Sequence, residues 1–261
     1  MSKGILYDAT LCIDCKACEQ ACADHAGLAY NDKVASEEYT SAHKLTAVIN
    51  KSDKYMRRLC QHCNEPACAS VCPVAALQKT ELGPVIYDEH RCMGCRYCMA
   101  ACPFGVPKYE WEKPLPQIRK CTMCPDRVQR GEQTACAAAC PVGATIFGER
   151  DDLLKQAKER IAKTPDQYLN HVFGETEVGG TSVLLLTGAG TKFENYGLHS
   201  DVVHDALPMY TFRVLSRIPD FVPIGGVMLG GIYWITHRRE EVAAAEAAEK
   251  AEKEKNQGGR Q

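Results

Sequence analysis

Two different patterns of apolar residues lie in the second half of the chain. Segment 151–163 has apolar residues at helical spacing between an acidic start and a basic end, which predicts an amphipathic surface helix. Its apolar positions are Leu153, Leu154, Ala157 and Ile161. Segment 179–187 is a continuous apolar run bounded by glycines, which predicts a buried strand. Shorter apolar runs at 84–88 and 144–147 also predict strands.

The most apolar stretch covers residues 218–236 and contains a single charged residue. An aromatic pair closes the stretch and two arginines follow it, an arrangement typical of a membrane span and its interfacial belt. The spacing Gly226-x-x-x-Gly230 offers a face for close packing against another helix. We predict one transmembrane helix here, with a buried helix as the alternative, because Pro219 and Pro223 weaken its first turn.

Composition adds little to this pattern, except for cysteine. The chain has 261 residues and a formal net charge of −2, which gives no indication of a nucleic-acid partner or a strongly charged substrate. All 16 cysteines fall into four close-spaced runs. The runs are Cys12, Cys15, Cys18 and Cys22; Cys60, Cys63, Cys68 and Cys72; Cys92, Cys95, Cys98 and Cys102; and Cys121, Cys124, Cys136 and Cys140.

The first and third runs have the spacing C-x-x-C-x-x-C-x-x-x-C, which is the pattern of ferredoxins that hold two cubane iron-sulfur clusters. In such proteins the first three cysteines bind one cluster and the fourth binds the neighbouring cluster. Sixteen cysteines are enough ligands for four 4Fe-4S clusters. A disulfide framework suits small secreted chains, and structural zinc sites need only two cysteine pairs. We therefore expect iron-sulfur clusters, with zinc as the alternative.

Three of the four runs end in a Cys-Pro pair, and such a proline ends a short helix and turns the chain into the next strand. This predicts an α+β fold with two ferredoxin-like modules, inserted loops and a C-terminal transmembrane helix. The predicted domains are a double ferredoxin-like domain over 1–148, a helix and strand extension over 149–212, a membrane anchor over 213–239, and a charged tail over 240–261 that is disordered or a solvated helix.

The sequence shows no catalytic constellation: no nucleophile and base at recognisable spacing, no phosphate loop and no G-x-G-x-x-G after a strand. We therefore expect substrate chemistry to occur on another polypeptide, with this chain relaying electrons. His62, inside the second run, has two interpretations, a hydrogen bond to a cluster sulfur or a plain structural contact. His171, His199, His204 and His237 are interpreted as structural side chains rather than haem ligands or proton carriers.

The chain resembles the four-cluster iron-sulfur subunits of the molybdopterin oxidoreductase family and of certain NiFe hydrogenases. The resemblance rests on the four cysteine runs and on the segments Cys92–Phe104 and Val106–Tyr109. Segments Gly4–Asp8, Phe147–Gly148 and Gly174–Thr181 are similar to the linker subunit of hydrogenase-2 and the beta subunit of respiratory formate dehydrogenase. In that family the first run pairs with the fourth and the second with the third, so the resemblance implies two interlaced ferredoxin-like modules.

This pairing implies four ligand sets, each with three cysteines of one run and the fourth cysteine of the partner run. Set A comprises Cys12, Cys15, Cys18 and Cys140, and set B comprises Cys22, Cys121, Cys124 and Cys136. Set C comprises Cys60, Cys63, Cys68 and Cys102, and set D comprises Cys72, Cys92, Cys95 and Cys98. Some relatives replace a cysteine by tryptophan in one run, whereas this sequence retains all of them. The resemblance therefore implies four 4Fe-4S clusters as cofactors.

The resemblance further implies a non-catalytic electron-transfer subunit of a membrane-bound respiratory oxidoreductase. Its implied partners are a catalytic molybdopterin or NiFe subunit, of the formate dehydrogenase or hydrogenase type, and an integral-membrane subunit that is quinone-reactive or a cytochrome b. The segment before Cys12 has no room for a signal peptide, so we expect the ferredoxin domain to reach the periplasmic side of the inner membrane by co-export with a partner. The alternative functions are a soluble multi-cluster ferredoxin-type electron carrier and a zinc-bound interaction module.

Overall fold

The computed structural model describes residues 2–199 and 203–258. The chain forms two compact units, Met1–Met209 and Tyr210–Gln261. The strands are β1 (Lys3–Asp8), β2 (Ala47–Lys51), β3 (Lys54–Arg58), β4 (Leu77–Lys79), β5 (Val85–Tyr87), β6 (Lys108–Tyr109), β7 (Ile118–Arg119), β8 (Thr145–Glu149) and β9 (Val183–Leu186). The helices are α1 (Ala17–His25), α2 (Asp32–Ala35), α3 (Ala67–Ser70), α4 (Tyr97–Ala101), α5 (Pro125–Gln129), α6 (Ala135–Ala138), α7 (Arg150–Lys163), α8 (Leu207–Leu215) and α9 (Ile218–Gly258). Short 3-10 turns cover Glu177–Gly179 and Phe193–Tyr196.

A three-stranded sheet with the strand order β8-β1-β9 ties the ends of the first unit together. β1 runs antiparallel to β8 and parallel to β9, where Tyr7 lies opposite Leu185. The sheet therefore joins the segment before the first cysteine run to segments that follow the fourth. The strands predicted at 144–147 and 179–187 are confirmed as β8 and β9.

The two faces of this sheet enter different parts of the core, because successive strand residues point to opposite sides. One face packs against α7 in a cluster that contains Leu6, Leu153, Ala157, Ile161, Leu184 and Leu186. The alternate residues, among them Tyr7 and Leu185, belong to the larger cluster that adjoins the cysteines. The helix predicted over 151–163 is confirmed as α7, with acidic residues in its first turn and basic residues in its last.

Antiparallel hairpins and short helices make up the cysteine-rich part of the first unit. The hairpins are β2-β3, β4-β5 and β6-β7, and the strand predicted at 84–88 is β5. The third cysteine of every run lies on a short helix: Cys18 on α1, Cys68 on α3, Cys98 on α4 and Cys136 on α6. These helices have four to nine residues, so tertiary contacts rather than helix propensity hold them in place.

The second unit is helical, and α9 includes the stretch predicted to span a membrane. Within the described residues, Leu207–Ala251 is the one helical segment long and apolar enough to cross a membrane, with a mean hydropathy of 1.4 in its most apolar window. None of that window is buried in the chain, so the buried-helix alternative finds no support. Pro223 lies inside α9, where the helix continues past it. α9 also runs through 240–258, so this part of the predicted tail is a helix, while residues 259–261 lie outside the described residues.

Candidate iron-sulfur sites

The C-x-x-C loops of the four runs share one backbone feature. The residue directly before the second cysteine has a positive φ in every run, and these residues are Asp14, His62, Gly94 and Met123. A left-handed residue in a tight loop turns successive backbone N–H groups toward one centre, which forms an anion-binding concavity of the kind found at many iron-sulfur sites. Three of the four residues are not glycine, so the surrounding structure must hold this conformation. The repeated loop fits a backbone that wraps around a cluster.

Short helices bring the runs together in pairs. α1 of the first run packs against α6 of the fourth run, and α3 of the second run packs against α4 of the third. Since each of these helices carries the third cysteine of its run, their packing brings cysteines of partner runs into electrostatic range. The helix contacts therefore join the first run to the fourth and the second run to the third.

Set B contains the most buried cysteines. Burial raises the pKa of Cys22 to about 12, with the charges of Cys136 and Cys124 adding to the effect of burial. Burial also raises the pKa of Cys121 well above its usual value, followed by the charges of Cys22, Cys60 and Cys136. The fourth cysteine of the first run thus lies beside three cysteines of the fourth run.

Set C shows the same exchange of a fourth cysteine. Burial raises the pKa of Cys63, and the charges of Cys60, Cys102 and Cys68 raise it further. Cys102 comes from the third run, whereas its three neighbours come from the second. The second and third runs therefore meet at this site.

A cavity in the first unit marks set D, since all four of its cysteines line the cavity wall. Burial, followed by the charges of Cys92, Cys95 and Cys72, raises the pKa of Cys98 to about 11. The other lining side chains are mainly apolar, and Arg96 is the charged one among them. Sulfur atoms in an apolar wall form a suitable environment for a cluster, because the wall limits access of water.

Set A lies closest to solvent. Cys12, Cys18 and Cys140 are partly buried against the large core cluster, and Cys15 is the one cysteine of the sixteen that is exposed. Burial raises the pKa of Cys18 to about 11, although the Arg57 charge opposes this rise. The charge of Cys136 in set B also acts on Cys18, so sets A and B are neighbours.

Charge effects link the four implied sets in the order A, B, C and D. Electrostatic contacts between successive sets join Cys18 with Cys136, Cys121 with Cys60, and Cys68 with Cys98. Exposed Cys15 lies at the A end, and the exposed side chains of Met93 and Tyr97 lie beside the cysteines of the D end. The order therefore leaves two ends accessible from outside the chain.

The chemistry of these sites fits an iron-sulfur cluster. Burial is the largest cause of the raised pKa of Cys22, Cys68 and Cys121, so these thiolates need a positive partner, which iron supplies on ligation. Across residues 2–199 and 203–258, no three His, Cys, Asp or Glu side chains are close enough to hold a single metal ion. A cubane has a wider ligand shell than one zinc ion at about 2.3 Å from sulfur.

His62 is held in one tautomer. Its Nδ1 accepts a hydrogen bond from the backbone N–H of Val85 at 2.8 Å, so the proton of the neutral ring lies on Nε2. Burial, followed by the charges of Lys120 and Lys79, lowers the pKa of His62 well below its usual value and keeps the ring neutral. Its Nε2 is buried and has no hydrogen-bond partner within the described part of the chain. The contact of Nδ1 with Val85 agrees with the structural interpretation, and the hydrogen bond from Nε2 to a cluster sulfur stays a prediction.

Two buried cations near the sets escaped prediction from the sequence. Arg57 is 1% exposed and Lys120 is 4% exposed, and Lys120 donates hydrogen bonds to the backbone oxygens of Val85 and Cys121. Charged side chains are seldom fully buried, so the sequence alone predicts that such residues face solvent. The position of Lys120 directly before Cys121 was the one available signal.

The histidines interpreted as structural have ordinary partners. The partners of His171, His204 and His237 are Glu177, Thr176 and Glu241, respectively. His199 also takes part in an interaction. The contacts of His171, His204 and His237 agree with structural roles for these three side chains.

A family model described as a 4Fe-4S dicluster domain matches residues 52–150, which include the second, third and fourth runs. Hydrogenase-2 operon protein HybA of Escherichia coli O157:H7 is 38% identical over 240 residues, covering 76% of this chain and 73% of the relative. The nitrate-inducible formate dehydrogenase iron-sulfur subunit of Escherichia coli K12 is 33% identical over 213 residues, covering 75% and 72%. One polypeptide of the anaerobic dimethyl sulfoxide reductase of the same strain is 36% identical over 172 residues, covering 62% and 80%.

This protein belongs to the family of iron-sulfur subunits of molybdopterin oxidoreductases and NiFe hydrogenases. The family membership confirms the resemblance seen in the cysteine runs. A member of this family is an iron-sulfur electron-transfer subunit, and its clusters are of the 4Fe-4S type. The sixteen thiols and the four similar loops are consistent with that role.

Proposed function

We propose that this chain carries four 4Fe-4S clusters, held by sets A, B, C and D, and relays electrons between a catalytic subunit and an integral-membrane subunit of a respiratory oxidoreductase. When bound, clusters of this type exchange single electrons with neighbouring redox groups. The chain supplies the thiolate ligands, backbone N–H groups from four loops, and an interior that limits the access of water.

Charge effects between cysteines of different runs carry this proposal. They link Cys22 of the first run with Cys124 and Cys136 of the fourth, Cys102 of the third with Cys63 of the second, and Cys72 of the second with Cys98 of the third. A fourth cysteine that crosses to the partner cluster is the characteristic of two-cluster ferredoxin modules. The packing of α1 on α6 and of α3 on α4 supports two such modules, interlaced along the chain.

The linear order of the sets supports a relay with two docking ends. We propose a catalytic molybdopterin or NiFe subunit at one end and a quinone-reactive or cytochrome b subunit at the other. The names of the relatives, which include a hydrogenase-2 operon protein, a formate dehydrogenase subunit and a dimethyl sulfoxide reductase polypeptide, support such complexes. The exposed apolar window within 207–251 favours a membrane-bound subunit over a soluble carrier.

The proposed location of the cluster-binding unit is the periplasmic side of the inner membrane, reached by co-export with a partner. Protease treatment tests this location. The unit should be cleaved in spheroplasts and protected in inverted membrane vesicles, and the opposite result would place it in the cytoplasm.

Metal analysis of the purified complex tests the number of clusters. We expect about 16 iron atoms and as many acid-labile sulfides per copy of this chain, because four cubanes hold four of each. Cys95→Ala should remove about four iron atoms and one paramagnetic signal of the dithionite-reduced complex. Met93→Leu alters the same loop without removing a thiol and should keep the full iron content. A wild-type complex with about half of this iron, or with zinc in its place, would contradict the proposal.

A further inference from the structure

Arg57 is a buried charge that forms no salt bridge with a carboxylate within residues 2–199 and 203–258. The residue lies on β3 opposite Val48, and its side chain is among the largest in the protein to be fully buried. The largest charge effects on its guanidinium come from Cys136, Cys18 and Cys22. A guanidinium withdrawn from water needs a nearby anion, because its desolvation is otherwise uncompensated. The position of Arg57 therefore points to negative charge at the cysteine sites.

Two threonines fix the orientation of this guanidinium. Arg57 Nε donates a hydrogen bond to Thr46 Oγ1 at 2.9 Å, and Nη1 donates to Thr145 Oγ1 at 3.1 Å. Both acceptors are neutral hydroxyls, so they orient the side chain without neutralising it. Among charged groups, Cys136 has the largest effect on this guanidinium. Thr134 contacts the Cys136 sulfur, with 3.4 Å between Oγ1 and Sγ.

The sulfur atoms around Arg57 belong to two different ligand sets. Cys136 and Cys22 are members of set B, and Cys18 is a member of set A. The charge of Arg57 in turn acts to lower the pKa of Cys18 in set A and of Cys22 and Cys136 in set B, so the guanidinium is within electrostatic range of both sets. One buried cation therefore faces two neighbouring cluster sites.

We propose that Arg57 raises the reduction potentials of the clusters held by sets A and B through its buried positive charge. This inference rests on the ligand sets of the proposed function. Reduction adds negative charge to a cluster, and a cation in a poorly screened interior stabilises that added charge. Hydrogen bonds to the sulfur atoms and the local charge are established determinants of cluster potential. Sets C and D lie farther along the order, so Arg57 affects them less.

Potentiometric titration of the whole complex, followed by electron paramagnetic resonance, tests the proposal. Cys15→Ala and Cys95→Ala assign the outer signals to sets A and D. In Arg57→Gln, the equilibrium constants for reduction at sets A and B should fall at least tenfold, which is about 59 mV for one electron. Arg57→Lys keeps the charge but loses the planar fork, and should recover most of this change. Arg130→Gln removes an equal charge from an exposed site and should leave all signals unchanged.

Thr134→Val provides a second test that leaves Arg57 in place. It removes one contact to the Cys136 sulfur at nearly constant volume, so a smaller fall in potential should be confined to set B. If Arg57→Gln loses iron, Arg57→Lys and Thr134→Val decide the question. Unchanged potentials in the iron-loaded variants, or an equal fall at all four sets, would overturn the inference. Iron analysis of the wild-type complex is independent of these results and decides the proposed number of clusters.

Discussion

At the scale of single residues, one ionic pair lies apart from the cysteine sites and gives the protein a predictable response to pH. Glu177 is fully buried, and its carboxylate contacts His171 Nε2 at 2.6 Å and accepts the backbone N–H of Gly174 at 2.7 Å. The hydrogen bond to Glu177 raises the pKa of His171. Burial acts to raise the pKa of Glu177, but the hydrogen bonds from His171 and the backbone lower it overall.

The pair should stabilise the fold in a limited pH window. The contribution of His171 is complete below its usual pKa of 6.5 and is lost as the pH rises through its raised value in the folded protein. The contribution of Glu177 is present above its usual pKa of 4.5 and is lost as the pH falls through its lowered value. We expect the difference in thermal midpoint between the wild type and His171→Gln to be largest between pH 4.5 and 6.5 and to shrink toward pH 9.

Scanning calorimetry of the cluster-loaded protein across this pH range measures that difference. His43→Gln is the matched control, because His43 is exposed and 4.0 Å from the exposed carboxylate of Glu112. It should change the midpoint little at any pH. A difference for His171→Gln that does not vary with pH would contradict the assignment of the pair.

Single residues also show which functional positions can be identified from the sequence and which cannot. All sixteen cysteines were identifiable because the spacing within each run is local, and local spacing is what a loop around a cluster requires. Arg57 could not be identified, because its burial depends on the packing of β3 against distant threonines. The tautomer of His62 likewise depends on the backbone N–H of Val85, which lies 23 positions away in the sequence.

At the scale of elements, α7 supports the central sheet through a small number of buried side chains. Leu153 is 2% exposed and packs with Leu6 and Leu184, whereas the adjacent Leu154 is only partly buried. Leu153→Ala should reduce the free energy of unfolding by about 3 kcal/mol, because it removes transfer energy and leaves a cavity. Leu154→Ala should cost clearly less. Denaturant unfolding of both variants, followed by circular dichroism, measures the two changes, and equal losses would show that α7 is oriented differently.

The elements that the sequence predicted share a regular pattern, and those it missed lack one. α7 has apolar residues at helical spacing, and β9 is a short apolar run bounded by glycines, so both were predicted near their observed bounds. The hairpin β2-β3 was not predicted, because β3 reads Lys-Tyr-Met-Arg-Arg and carries three cations. Its pairing with β2 buries Met56 and Arg57 together, which no local pattern of apolar residues reports.

At the scale of the whole molecule, the first unit holds its ligand sets with contacts between distant parts of the chain. The sheet joins β1 to β8 and β9, and the core cluster on one face of the sheet includes cysteines of the first, second, third and fourth runs. The contacts of α1 with α6 and of α3 with α4 make the positions of thiols in one run depend on a partner run. Such dependence explains why spacing alone left the pairing of runs open, and why only the resemblance to a family implied it.

The exposed apolar helix of the second unit makes a prediction about where the whole chain is found. Val227 is 78% exposed in the middle of the apolar stretch of α9, and Val242 is 41% exposed in the charged part of the same helix. An arginine near the centre of a membrane span costs about 2.5–3.5 kcal/mol. Val227→Arg should therefore shift the chain from the membrane pellet to the soluble fraction after an alkaline carbonate wash, whereas Val242→Arg should not. Release of the wild type by the same wash would favour the soluble carrier, because an alkaline wash removes chains that only peripheral contacts hold at the membrane.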